Sequence, residues 1–137
     1  MDVQAINKRV IEQFRAGGEI EGMNRDRLLL LTTTGARTGV RRTTPMMFHA
    51  DGERLLVMAS NIGADKHPDW YLNLVADPNV TVEVGSESYE ALASPLTGTD
   101  RDDTWSMIKQ AYPFFADHEA KTARTIPVVA ILRQLQI

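Results

Sequence analysis

Apolar residues at the start of the chain recur at helical spacing: Val3, Ile6, Val10 and Phe14, with Ile11 widening the stripe. Gly17-Gly18 stops this helix. Its other face is polar, so the stripe must be covered by the chain's own domain, a partner or a membrane surface. From Arg27 the period changes. Arg27 to Thr34 is a continuous apolar run ending in threonines, which predicts a buried strand. Gly35 to Val40 reads as a glycine-bounded turn. Arg41 to Ala50 reads as extended, and its Pro45 cannot donate to a ladder, which predicts an edge or a bulge. Asp51-Gly52 is a hairpin turn into a strand over 54–59.

Ser60 to Lys66 reads as a loop, and 67–76 as a short helix with Pro68 in its first turn. Asp77-Pro78-Asn79 ends it. A second hairpin follows, 80–84 with 88–93 around Gly85-Ser86. Thr99 to Ala111 reads as a helix capped near Thr97 or Thr99, with Asp100, Asp102 and Asp103 at its positive end. Tyr112-Pro113 breaks it, and 126–132 is a final strand. These patterns predict about six strands and three or four helices in one domain, 1–137. Hairpins dominate and helices do not alternate with strands. The expected class is therefore α+β: a short-stranded antiparallel barrel flanked by helices.

Composition narrows the chemistry. The 137 residues contain no cysteine, which excludes disulfides, thiolate metal sites and a cysteine nucleophile. No apolar run reaches the roughly 20 residues of a bilayer span, and the N-terminus lacks a secretory pattern. A cytoplasmic protein is expected, with peripheral membrane contact through the first helix as an open alternative. The formal charge is −3, yet Arg25, Arg27, Arg37, Arg41 and Arg42 cluster in one short stretch opposed by Asp26 alone. Gathering arginines in an otherwise acidic chain suggests an anion site. The acidic remainder argues against general nucleic-acid binding.

The glycine turn fits neither a P-loop nor a dinucleotide fingerprint, because Gly35 and Gly39 are four apart and no Lys-Ser/Thr follows. What remains is a tight turn flanked by guanidiniums and hydroxyls. That makes either an oxyanion cradle or an ordinary solvated turn. His49, His67 and His118 match no metal spacing, and no metal is expected. Ser60 lacks a nucleophile elbow. Trp70, Leu74 and Tyr71 read as core residues of the short helix. Asn73, unfavourable in mid-helix, suggests a hydrogen-bonding role. Tyr112-Pro113-Phe114-Phe115 either plugs the barrel or lines a pocket for a flat ligand, with the Tyr112 hydroxyl as proton donor.

Taken in order, Thr33–Gly39 (TTGARTG), Arg42–Met46 (RTTPM), Ala59–Ala64 (ASNIGA), Pro68–Leu74 (PDWYLNL), Asp77-Pro78, Tyr112-Pro113 and Arg124–Val128 (RTIPV) resemble the deazaflavin-dependent nitroreductase family. These are actinobacterial-type split-barrel oxidoreductases that use coenzyme F420. The resemblance runs from about Leu28 to Val129. It implies that Arg37 and Arg42 serve the coenzyme's phosphate and acidic tail, with Ala36 and Thr38 contributing backbone. It further implies that Arg42, Thr43, Thr44, Pro45, Met46 and Met47 pass along the ring and its chain. Met58, Ala59, Ser60 and Asn61 border the coenzyme, and Asp69, Trp70 and Asn73 contribute from the short helix. Ser60 and Tyr112 are the implied catalytic residues. Tyr112, Phe115 and His118 form the implied substrate wall, where the founding nitroreductase carries tyrosines at the places of Phe115 and His118.

The implied activity is hydride transfer from reduced F420 to a small electrophilic acceptor: a quinone, an enone or unsaturated lactone, or a nitroaromatic. The alternatives are an FMN-dependent split-barrel oxidase or reductase, and a carrier that holds F420 without chemistry. Oligomeric state is left open.

Overall fold

The computed structural model describes residues 3–20 and 22–134. Seven strands form one antiparallel sheet: β1 (Leu28–Thr34), β2 (Arg41–Met47), β3 (His49–Asp51), β4 (Arg54–Met58), β5 (Asn79–Val84), β6 (Glu87–Pro95) and β7 (Val128–Arg133). Their order is β2-β1-β5-β6-β7-β4-β3. Four α-helices accompany them: α1 (Val3–Ala16), α2 (Asp69–Ala76), α3 (Gly98–Ala111) and α4 (Phe114–Ala120).

The strand count exceeds the sequence reading by one. The run expected over 41–50 divides at Phe48, whose N–H leaves the ladder to donate to the Arg27 carbonyl at 3.0 Å. Residues 41–47 then pair with β1, while 49–51 pair with β4. One continuous apolar-and-polar run thus serves both ends of a curled sheet. Pro45 lies opposite Leu30 on β2, which ends the strand order, so its missing donor faces no third strand. The segment after Pro113 forms α4, and Pro68 caps α2 rather than lying inside it.

Period-two alternation sorts each strand between two faces. Leu29 and Leu31 of β1, Val57, Val80, Val82, Val129 and Ile131 fill the inner face, joined by Leu74 of α2. On the outer face Leu28 and Leu30 meet Val10 and Phe14 of α1. Leu56, Met58, Val128 and Ala130 meet Trp105 and Ile108 of α3 and Phe115 of α4. Val10 and Phe14, and in part Ile11, are therefore covered by the chain's own sheet, while Val3 and Ile6 of the same stripe are exposed. Burying each such aliphatic side chain contributes about 1.5–3 kcal/mol, so α1 is held by its apolar face. A bidentate Arg15–Glu83 pair adds to this, with contacts of 2.9 and 2.8 Å.

Candidate active site

The turn between β1 and β2 is built tightly. The Gly35 N–H donates to the Val40 carbonyl at 2.8 Å, and the Gly39 N–H donates to the Gly35 carbonyl at 2.9 Å. The Thr38 hydroxyl accepts from the Val40 N–H at 3.2 Å. A Cβ at Gly35 would stand 2.7 Å from that hydroxyl oxygen, and Gly39 needs its φ of +70°, so both glycines are dictated by the turn.

Asn73 fixes this turn to α2. Its Oδ1 accepts from the Ala36 N–H at 3.0 Å, and its Nδ2 donates to Thr33 Oγ1 at 3.2 Å. Asn73 and Thr33 are both buried. The hydrogen-bonding role suggested by a mid-helix asparagine is thus met by the turn itself, and the Ala36 N–H is already used.

Gly35, Ala36, Arg37, Thr38, Arg42, Asp69 and Asn73 surround a cavity of about 320 Å³. The two arginines that face it are exposed, and among the described residues neither has a hydrogen-bonding or ion-pair partner. Arg41 differs: it donates to Thr34 Oγ1 at 3.0 Å and to Thr81 Oγ1 at 2.6 Å, which ties it along the sheet. Adjoining the first cavity is a second, of about 560 Å³, between α1, β2 and α2; Arg42, Thr43, Thr44, Asp69, Trp70 and Asn73 line it. Both volumes fall in the range of small-molecule sites, roughly 300–1,000 Å³. Two unpartnered guanidiniums beside a preformed turn are the donor set an acidic or phosphate-bearing coenzyme requires.

Strand β2 carries the site away from the cradle. From Arg42 to Met47 a strand rises about 16 Å at roughly 3.3 Å per residue. Thr43 Oγ1 shares a 2.7 Å hydrogen bond with Thr32 Oγ1, and Met46 packs on the inner core. Met47, at the far end, packs against the cluster that contains Met58, Phe115 and Tyr112.

At that end each hydroxyl singled out in the sequence is backed by an imidazole. Tyr112 Oη lies 2.8 Å from His49 Nδ1, and Ser60 Oγ lies 3.1 Å from His118 Nδ1. The Arg27 guanidinium sits over the Tyr112 ring, 5.6 Å from its centre. Phe115 contacts both Tyr112 and His118 edge to face, at 6.3 and 5.6 Å between ring centres. Phe115 itself is buried against Trp105, so it supports this wall from behind. Burial, followed by the Lys121 charge, holds His118 below the usual histidine range, and Asp117 opposes them. Met58 and Ala59 are buried, whereas Asn61 is exposed, its Nδ2 donating to the Lys66 carbonyl at 3.0 Å. Neither Ser60 nor Tyr112 lines the two cavities beside the turn.

His49 has no chemical signature in the sequence. It becomes visible only because the division at Phe48 brings β3 against Tyr112. Arg124 is a second such residue. Its guanidinium binds the carbonyls of Ala59, Ser60 and Ala64 and reaches His67, across separations of 57 to 65 residues. The Arg-Thr-Ile-Pro motif marked its position without a role.

Comparison with known proteins identifies the family of this chain. The model of the F420H(2)-dependent quinone reductase family matches residues 4–133. An F420H(2)-dependent quinone reductase of Mycobacterium tuberculosis is 36% identical over 109 residues, covering 77% of this chain and 73% of that protein. A solved F420-H2 dependent reductase is 35% identical with a TM-score of 0.70, covering 82% of this chain and 99% of the other. A structure described as a domain-swapped dimer is also 35% identical, with a TM-score of 0.72, covering 90% and 92% of the two chains. A turn presenting free guanidiniums, on a split-barrel sheet that leads to paired hydroxyls and imidazoles, is thus carried by a chain that belongs to the F420H(2)-dependent quinone reductase family of oxidoreductases.

Proposed function

We propose that this protein reduces quinones with hydride from F420H2, and that Arg37 and Arg42 grip the coenzyme's anionic end. The observation that carries the reading is the pair of unpartnered guanidiniums on the cavity beside the Gly35–Gly39 turn. When bound, the reduced deazaflavin supplies a hydride from C5, and carbon at that position favours two-electron transfer. The turn and β2 act as a ruler. Anchoring an anion at Arg42 leaves about 16 Å of strand over which a chain and ring can extend towards Met47.

Hydride addition to a quinone leaves an oxyanion that needs one proton to become the hydroquinone. Ser60 and Tyr112 serve it in this reading, supported by their contacts with His118 and His49: a hydroxyl donates to the developing oxyanion, and the imidazole behind it compensates by giving up or sharing a proton. Tyr112 is the proton donor in this reading, with His49 behind it, and Ser60 orients the acceptor's oxygen. Tyr112 and His118, backed by the buried Phe115, make an aromatic wall suited to flat, electron-poor acceptors. Enones, unsaturated lactones and nitroaromatics share that electron demand and extend the proposed acceptor range.

Fluorescence titration of F420 against wild type and Arg42→Ala tests the assignment. A charge-assisted hydrogen bond contributes about 1.5–3 kcal/mol, so Kd rises by about 10-fold or more in the variant. Wild-type affinity in Arg42→Ala would sink the cradle. Oxidation of F420H2 by menadione tests the reaction itself, and binding without turnover would make the protein a carrier.

A further inference from the structure

We propose that Arg124 is a positioning residue for the reaction, acting through the loop that carries Ser60; the inference rests on the role given to Ser60 above. Its basis is the way β4 and β7 run out. Their ladder ends at Met58 opposite Val128, and one more bond follows, from the Ala59 N–H to the Pro127 carbonyl at 3.0 Å. Beyond that point Pro127 has no N–H to give. The Arg124 guanidinium supplies donors where the backbone cannot. Its Nη2 reaches the Ala59 carbonyl at 3.1 Å and the Ser60 carbonyl at 2.8 Å. Its Nε reaches the Ala64 carbonyl at 2.9 Å, and its Nη1 lies 3.1 Å from His67 Nδ1. One planar fork thus holds both ends of the loop.

The loop needs such a clamp. Asn61, Ile62 and Gly63 take successive φ values of 48°, 55° and 80°. A β-branched residue at positive φ is strained, and Ile62, at 75% exposure, gains little burial to offset it. Only surrounding contacts keep this conformation. The turn it makes lets the Gly63 N–H donate back to the Ser60 carbonyl at 2.9 Å, leaving Ser60 Oγ against His118. A lysine at 124 keeps the charge but lacks the planar fork, so it cannot reach both ends of the loop at once.

Three measurements on Arg124→Lys test the proposal. F420 affinity stays within about twofold of wild type, because the cradle is built elsewhere. The kcat with menadione falls about tenfold, and this fall shrinks to less than twofold in a Ser60→Ala background, because both changes remove the same function. Amide exchange at Gly63 and Ala64 speeds up at least tenfold, a readout that needs no turnover. Equal kcat losses in both backgrounds, or unchanged exchange, overturn the proposal. If Arg124→Lys does not fold, His67→Ala removes one arm of the clamp and serves in its place. Faster exchange with a twofold to fivefold loss of kcat supports the proposal, and no change in either overturns it. A wild-type protein that fails to oxidise F420H2 refutes the proposed reaction, and the exchange data still decide whether Arg124 holds the loop.

Discussion

Asn73 shows how one side chain joins two elements. It is buried, it donates to Thr33, and it accepts from the Ala36 N–H. Asn73→Ala removes both hydrogen bonds, at a net cost of about 0.5–1.5 kcal/mol each. The urea midpoint is expected to fall accordingly, and F420 affinity with it, since the turn loses its strut. The histidines give a pH signature. Burial, then the neighbouring cation (Arg124 for His67, Lys121 for His118), lowers both pKa values from 6.5, with Asp117 opposing at His118. Above pH 6.5 both folded and unfolded chains hold them neutral and stability is full. Below it the unfolded chain takes up protons that the folded chain does not, so stability falls as pH drops. Urea midpoints at pH 7.5 and 5.5 should show that loss, and a His67→Gln, His118→Gln double variant should flatten it.

The Ser60 loop and the glycine turn are the two irregular elements to which the proposed chemistry is assigned, and each is held by residues distant in sequence. Gly63 is buried with φ of +80°, and a Cβ there would stand 2.8 Å from the His118 carbonyl and 2.9 Å from Lys121 Cβ. Gly63→Ala therefore meets both a left-handed penalty of about 1–2 kcal/mol and a steric clash with α4. Chemical denaturation should register a loss of at least that size, together with a lower kcat as α4 is pushed from Ser60. Helix α2 was legible from its apolar spacing and Pro68. Its function as a brace for the turn was not, because Asn73 and Ala36 are 37 residues apart.

Across the whole molecule, the curled sheet puts an exposed cationic mouth at one end of β2 and a half-buried aromatic wall at the other. Among the described residues no helix is long and apolar enough to cross a membrane. Because Arg37 and Arg42 are exposed, their attraction for an anion is screened by salt as the Debye length shrinks from about 10 Å at 0.1 M to 3 Å at 1 M. F420 Kd should rise several-fold over that range in wild type and more shallowly in Arg42→Ala; equal slopes would remove Arg42 from the mouth.

Local patterning determined a good deal by itself. Period-two runs, Asp51-Gly52 and Gly85-Ser86 specified antiparallel hairpins, Pro45 restricted its strand to an edge or a bulge, and Gly35 with Gly39 specified a tight turn flanked by arginines. Those features rest on neighbours within a few residues, so they are written in the chain directly. The pairing of Ser60 with His118 and of Tyr112 with His49, the tethering of Arg41 away from Arg42, and the grip of Arg124 on a strained loop were decided only by the tertiary structure. Each joins groups that only the folded sheet brings within 3.2 Å. A hydrogen bond needs that proximity, and sequence spacing carries no measure of it.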